Sequence, residues 1–171
     1  MLAAKKSPNP LEFHDKTIWQ RSCFIKEEII MGGVMTVDLE AKTILLVDDE
    51  TDIRSVYADL LADLGCRVFS EPNGPAALAF VKQGAGIDLV ITDYMMPDMN
   101  GLKFVKSLRA MRPSVPVIMI TGFTSVENYL LSKSLGVFEY VEKPIRVDEF
   151  RRIVTAALDS RKGPAPEGSH L

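Results

Sequence analysis

From residue 43 onward the chain alternates short apolar runs with segments of helical period. Ile44-Leu45-Leu46-Val47, Leu89-Val90-Ile91-Thr92 and Val117-Ile118-Met119-Ile120 are apolar runs of strand length. Arg67-Val68-Phe69-Ser70 and Phe138-Glu139-Tyr140-Val141-Glu142 add a second and a fifth strand. After the first run, Ile53, Val56, Tyr57, Leu60, Leu61 and Leu64 recur on one helix face, with Thr51 as N-cap and Gly65 as stop. Pro75 to Lys82 predicts a second helix with Ala77, Phe80 and Val81 inward. Leu102 to Met111 predicts a third, with Phe104, Val105, Leu108 and Met111 inward. Ser125 to Leu135 predicts a fourth of looser apolar spacing, stopped by Gly136. Val147 to Arg161 predicts a fifth, with Phe150, Ile153, Val154, Ala157 and Leu158 on one face. Central strands that are apolar throughout have both faces covered, which is the pattern of a parallel sheet between helical layers. The predicted fold class is α/β, a doubly wound five-stranded parallel sheet with five helices.

Residues 1–41 follow no such rhythm. Ser7-Pro8-Asn9-Pro10 is a turn or extended segment, and Ile18 to Ile30 reads as one short helix broken by Gly32-Gly33. Met31 and Met35 stand just before the regular pattern, so this extension reads either as a docking segment or as sequence upstream of the true start. Residues 42–160 form the predicted domain, and residues 161–171, with Gly163-Pro164-Ala165-Pro166, a flexible tail.

A hydrophobic content of 47% suffices for a packed core and excludes wholesale disorder. The formal charge of −3 gives no general attraction to nucleic acid or to an anionic membrane. Arg146, Arg151, Arg152, Arg161 and Lys162 cluster, but Asp148, Glu149 and Asp159 interrupt them, as on a solvated helix face. Cys23 and Cys66 form no metal-ligand spacing, and a reduced, cytoplasmic setting is expected. No apolar stretch reaches the roughly 18 residues of a membrane span.

The polar residues at the strand ends change the picture. The first run stops at Asp48-Asp49, the third at Asp93, the fourth at Thr121 and the fifth at Lys143-Pro144. In open parallel sheets, ligands bind beyond the carboxyl ends of the strands. Clustered carboxylates repel one another unless protonated or neutralised by a cation, and oxygen donors of this kind suit Mg²⁺. A carboxylate can act as a nucleophile and form an acyl phosphate, with Asp93 best placed at the end of the central strand. Lys143 and Thr121 can then hold the oxygens of the transferred group. An isolated Asp-Asp pair, a threonine before a turn or a lysine before proline would each be unremarkable; the set of four strand ends carries the signal.

Residues 42–160 resemble the receiver domain of two-component response regulators. The matching pieces are Asp48-Asp49-Glu50, Asp93-Tyr94-Met95-Met96-Pro97-Asp98-Met99-Asn100-Gly101, Thr121-Gly122 and Tyr140-Val141-Glu142-Lys143-Pro144-Ile145, in order across the domain. The resemblance implies a flavodoxin-like strand order 2-1-3-4-5. It implies that Asp93 is the phosphoacceptor, charged by a phosphohistidine on a sensor histidine kinase or a phosphotransfer protein. It further implies Mg²⁺ held by Asp49, Asp93 and the backbone carbonyl of Met95, with Asp48 acting through water. Lys143 would pair with the phosphoryl group across a cis Lys143–Pro144 bond, Thr121 would move to bond it, and Tyr140 would turn inward. Read from the residues alone, Tyr140 is equally a half-exposed aromatic of an edge strand.

Such a protein is a phosphorylation switch and not an enzyme in the ordinary sense. Its output would pass to a protein target through the face of the fourth helix, fifth strand and fifth helix, with no direct contact to nucleic acid or membrane. The expected form is a stand-alone receiver, the alternative being a receiver cut from a hybrid kinase or transcription regulator. An aspartyl-nucleophile phosphatase is disfavoured, because Met95 occupies the position where such enzymes carry a second acid. A calcium loop over Asp48 to Asp59 fails, with Ile53 at the glycine position and Asp59 at the glutamate position. Met95 and Phe123 flank the implied path of the hydrolytic water with no group to orient it. Either the acyl phosphate is long-lived, or the two side chains only pack at the pocket mouth.

Overall fold

The computed structural model of the chain describes residues 42–162. The predicted helix over 18–30 and the tail beyond 162 lie outside the described residues. The element order is β1 (Thr43–Val47), α1 (Thr51–Ala62), β2 (Arg67–Glu71), α2 (Gly74–Lys82), β3 (Leu89–Asp93), α3 (Gly101–Met111), β4 (Val117–Thr121), α4 (Val126–Ser134), β5 (Glu139–Glu142) and α5 (Val147–Asp159), with a 3-10 turn at Ser160–Lys162. The five strands form one parallel sheet in the order β2-β1-β3-β4-β5.

Side chains alternate across a strand, so each apolar run feeds two cores. Ile44, Leu46, Ile91, Ile118 and Ile120 meet Leu61 of α1 and Phe150, Val154 and Leu158 of α5 on one face. Leu45, Val47, Val90, Val117 and Met119 meet Ala77 and Val81 of α2 and Phe104, Val105 and Leu108 of α3 on the other. β1, β3 and β4 are buried along almost their whole length.

Several expectations shift. Thr51 is the first residue of α1, not its cap; the N-cap is Glu50, which makes no side-chain cap bond. Asp48 has already closed the turn, accepting from the Glu50 amide at 2.9 Å. Val56 is 57% exposed, because it lies about 100° round the helix from Tyr57, which stacks on Phe150 at 4.9 Å. Phe80 is half-buried against Phe69, and Met111 is also half-buried. Gly65 and Gly136 do take the left-handed conformation after their helices, with φ of 79° and 68°.

α4 differs from the other helices. Ser125 caps it, accepting from Asn128 N, but its one buried residue is Ser132. Its apolar side chains point outward: Val126, Leu130 and Leu131 are exposed. What holds its far end is Arg109 of α3. That guanidinium donates to Leu135 O at 2.9 Å, Gly136 O at 2.7 Å and Val115 O at 2.6 Å.

Phe104 is fully buried between α3 and the sheet. Phe104→Ala is expected to cost about 3–5 kcal/mol, read by urea unfolding, through lost burial and the cavity left behind.

Candidate functional site

The register fixes which strand ends share a level. Val47 pairs with Thr92, Asp93 with Ile120 and Thr121 with Glu142, so the residues that follow these positions emerge along one edge. Asp48, Asp93 and Thr121 are all buried there. Lys143 reaches in from the end of β5, where its amide donates to Thr121 O at 2.7 Å and the following Lys143–Pro144 bond is cis. Its Nζ lies 2.8 Å from Asp93 Oδ1 and 3.2 Å from Asp48 Oδ2.

The charges at this edge are coupled. Burial works against the Lys143 ammonium, yet the hydrogen bond and charge of Asp93, joined by Asp48, raise its pKa above the ordinary lysine value. Burial pushes the Asp48 carboxyl up, and the Glu50 amide and Lys143 only partly offset it. The other Asp93 oxygen, Oδ2, accepts from the Met95 amide.

Thr121 and Tyr140 form a second group beside the first. Thr121 Oγ1 donates to Phe123 O at 2.9 Å and accepts from Phe123 N at 3.0 Å, so here it serves its own loop. The half-buried Tyr140 donates its hydroxyl to the same carbonyl at 3.3 Å, and its ring meets Tyr129 of α4 edge-on at 6.1 Å. Burial raises the Tyr140 pKa, against a hydrogen bond with Thr121 that lowers it. Asp49 is exposed, and Met95 and Phe123 are each 60% exposed at the rim.

Three further residues support the site from outside the strand ends. Arg54 donates to Asp48 O at 2.6 Å, clamping the β1–α1 turn. Tyr57 packs against the core on Phe150, and Lys143, Asp48 and Asp93 also act on its hydroxyl, whose pKa burial raises. Gly101 stands so close to the loop after β3 that a Cβ there would lie 2.5 Å from Asp93 O. Its amide donates to Tyr94 O at 2.9 Å. Arg54 and Tyr57 left no trace in the pattern, but a glycine directly after the Asn100 cap was a legible hint of close approach.

The model of the response regulator receiver domain family matches residues 44–155, and the chain belongs to that family. It is 35% identical over 127 residues to the DNA-binding transcriptional regulator NtrC of Azospirillum brasilense, covering 74% of this chain and 26% of that protein. It is 39% identical over 116 residues to the sensory transduction protein RegX3 of Mycobacterium tuberculosis, covering 68% of this chain and 50% of that one. The chain thus spans about a quarter to a half of the length of these curated relatives. Among solved structures, a receiver domain protein from Clostridium thermocellum superposes with a TM-score of 0.66 at 30% identity, over 71% of this chain and 97% of that one. The chemotaxis protein CheY4 of Vibrio cholerae gives 0.64 at 31% identity, over 68% and 98%. The domain is therefore a receiver of the two-component response regulators, a family that generally binds Mg²⁺ at its phosphorylation site.

The residues present fit that ion. Two buried carboxylates already converge on one positive charge, the Lys143 ammonium. Mg²⁺ needs only one or two carboxylates, keeping waters and phosphate oxygens for the rest. Among the described residues, no three acidic, histidine or cysteine side chains gather as a metal cluster. Asp49, exposed next to Asp48 in the chain, is the third carboxylate available to it.

The raised Asp48 pKa has a sign that stability can read. A carboxyl raised on folding binds more protons in the native state, so stability falls as pH rises from the ordinary aspartate value through the raised one. Asp48→Asn removes this loss. Urea unfolding from about pH 4 to neutrality is expected to show the variant gaining on the native protein as pH rises; a constant difference would contradict it.

Proposed function

We propose that Asp93 is the phosphoacceptor of this receiver. The observation that carries this is the Lys143 bridge: an ammonium 2.8 Å from Asp93 Oδ1 and 3.2 Å from Asp48 Oδ2, at the carboxyl edge of the sheet. A carboxylate oxygen of Asp93 attacks the phosphorus of a phosphohistidine, the P–N bond breaks, and the imidazole departs with its electron pair and takes up a proton. Mg²⁺, held by Asp48, Asp49, Asp93 and the Met95 carbonyl, would supply positive charge to the phosphoryl oxygens. Lys143 neutralises a further oxygen from the side of β5. The donor is a sensor histidine kinase or a histidine phosphotransfer protein, and the setting is cytoplasmic. The domain catalyses only its own phosphorylation and dephosphorylation.

The switch is Thr121 with Tyr140. An acyl phosphate adds roughly the −1.5 to −2 charge of a phosphate ester. That charge draws the Thr121 hydroxyl away from Phe123 O, and Tyr140, which shares that carbonyl, turns into the space released. The change reaches the face of α4, β5 and α5, where a downstream protein docks. The matched share of NtrC and RegX3, 26% and 50%, favours a second reading in which this receiver belongs to a longer transcription regulator. The genomic reading frame around residues 1–171 separates it from a stand-alone switch.

Incubation with acetyl phosphate and Mg²⁺ is expected to label the native protein and not Asp93→Asn, with a chelator abolishing labelling. Equal labelling of both would move the acceptor elsewhere. Met95 and Phe123 carry no group able to activate water at the rim. The label is therefore expected to outlast seconds at neutral pH, and Met95→Glu to shorten its life; decay of the native label within seconds would show that water is activated by other means.

A further inference from the structure

Two grooves meet over Tyr140. One, of about 510 Å³, is lined by Thr124, Ser125, Val126, Tyr129, Tyr140 and Glu142. The other, of about 320 Å³, runs between β5 and α5 and carries Glu139, Glu142 and Glu149 with a single cation, Arg152. Tyr140 and Glu142 belong to both. Glu127 adds a fourth carboxylate in the first turn of α4. Among the described residues, none of these four glutamates takes part in an ion pair.

The walls are suited to one kind of guest. Tyr129 and Tyr140 set two aromatic rings at 80° to one another, and Lys133 already places its ammonium 5.5 Å from the Tyr129 ring centre. A cation gains from a tyrosine face and from a carboxylate together. Val126 on the groove wall and Leu130 one helical turn further on are 76% and 61% exposed. An acidic side chain would meet Glu139, Glu142 and Glu149 against one cation, Arg152; a purely apolar segment would leave the glutamates unanswered.

We propose that this surface receives a protein segment bearing arginine or lysine beside leucine-type anchors, with a basic side chain lying between Tyr129, Tyr140 and Glu142 and the apolar anchors on Val126 and Leu130. This rests on the phosphorylation-switch reading for its control and names the class of partner. Since Tyr140 is one wall of the groove, turning that ring inward alters the guest's seat. Occupancy and phosphorylation at Asp93 are then linked in both directions.

The test uses the full chain and three labelled amphipathic peptides, identical except for Arg, Gln or Glu on the face shared with leucine. Binding is followed by fluorescence anisotropy with and without acetyl phosphate and Mg²⁺. The Arg peptide is expected to bind about tenfold tighter than the Glu peptide, with the preference weakening as salt rises. The variant E139Q/E142Q/E149Q is expected to lose most of that preference while still taking label at Asp93, which shows that it is folded. Equal affinity for Arg and Glu peptides, a preference for Glu, or self-association in sedimentation that blocks the Arg peptide would each overturn the proposal. Acetyl phosphate labelling is scored separately: a native protein that takes no label defeats the switch reading, while the Arg-to-Glu ratio alone decides the groove.

Discussion

The site depends on a single ammonium placed between two carboxylates that the fold has taken out of water. β1 and β3 are neighbouring buried strands, so Asp48 just past the one and Asp93 at the end of the other are both buried and would repel one another if left alone. Lys143 crosses from β5, two strands away from β3, to answer both. That reach is available because β4 carries Lys143 on its own terminal carbonyl, Thr121 O. Position and charge balance thus come from the same parallel register that builds the core.

Asp48 stays costly to ionise even with Lys143 beside it, since burial outweighs the cation. A site in which negative charge is under-compensated has a standing affinity for further positive charge. Conversely, a new anion on Asp93 would draw on the Lys143 ammonium that Asp48 now shares. Thr121 and Tyr140 converge on one carbonyl, that of Phe123, which leaves them few independent positions.

Much of this is legible in the sequence. Short, β-branched apolar runs such as Val117 to Ile120 have the length of buried central strands, and helix faces such as Phe150-Ile153-Val154-Ala157 are strong periodic signals. The strand-end residues Asp48, Asp93, Thr121 and Lys143 followed from the same pattern, because a ligand site on an open parallel sheet lies where the apolar runs stop. The details that escaped are those set by distant chain. The cap of α1 passed from Thr51 to Glu50 because Asp48 closes the turn, and Val56 lay just off the packed stripe. Arg54 and Tyr57 joined the site through helix placement that no local pattern encodes. Asp49 stands apart from its two fellow acids because its side chain faces solvent while Asp48 turns inward, an alternation that a pair of identical letters conceals.

Arg109 gives α4 an asymmetric mounting. Its guanidinium grips the carbonyls of Leu135 and Gly136, just past the last turn, while the first turn rests on little beyond the Ser125 cap and the Tyr129–Tyr140 contact. A nine-residue helix is roughly 13 Å long at 1.5 Å per residue. Held in this way it has the mounting of a cantilever, with Gly136 at the fixed end and the exposed Val126 at the free one.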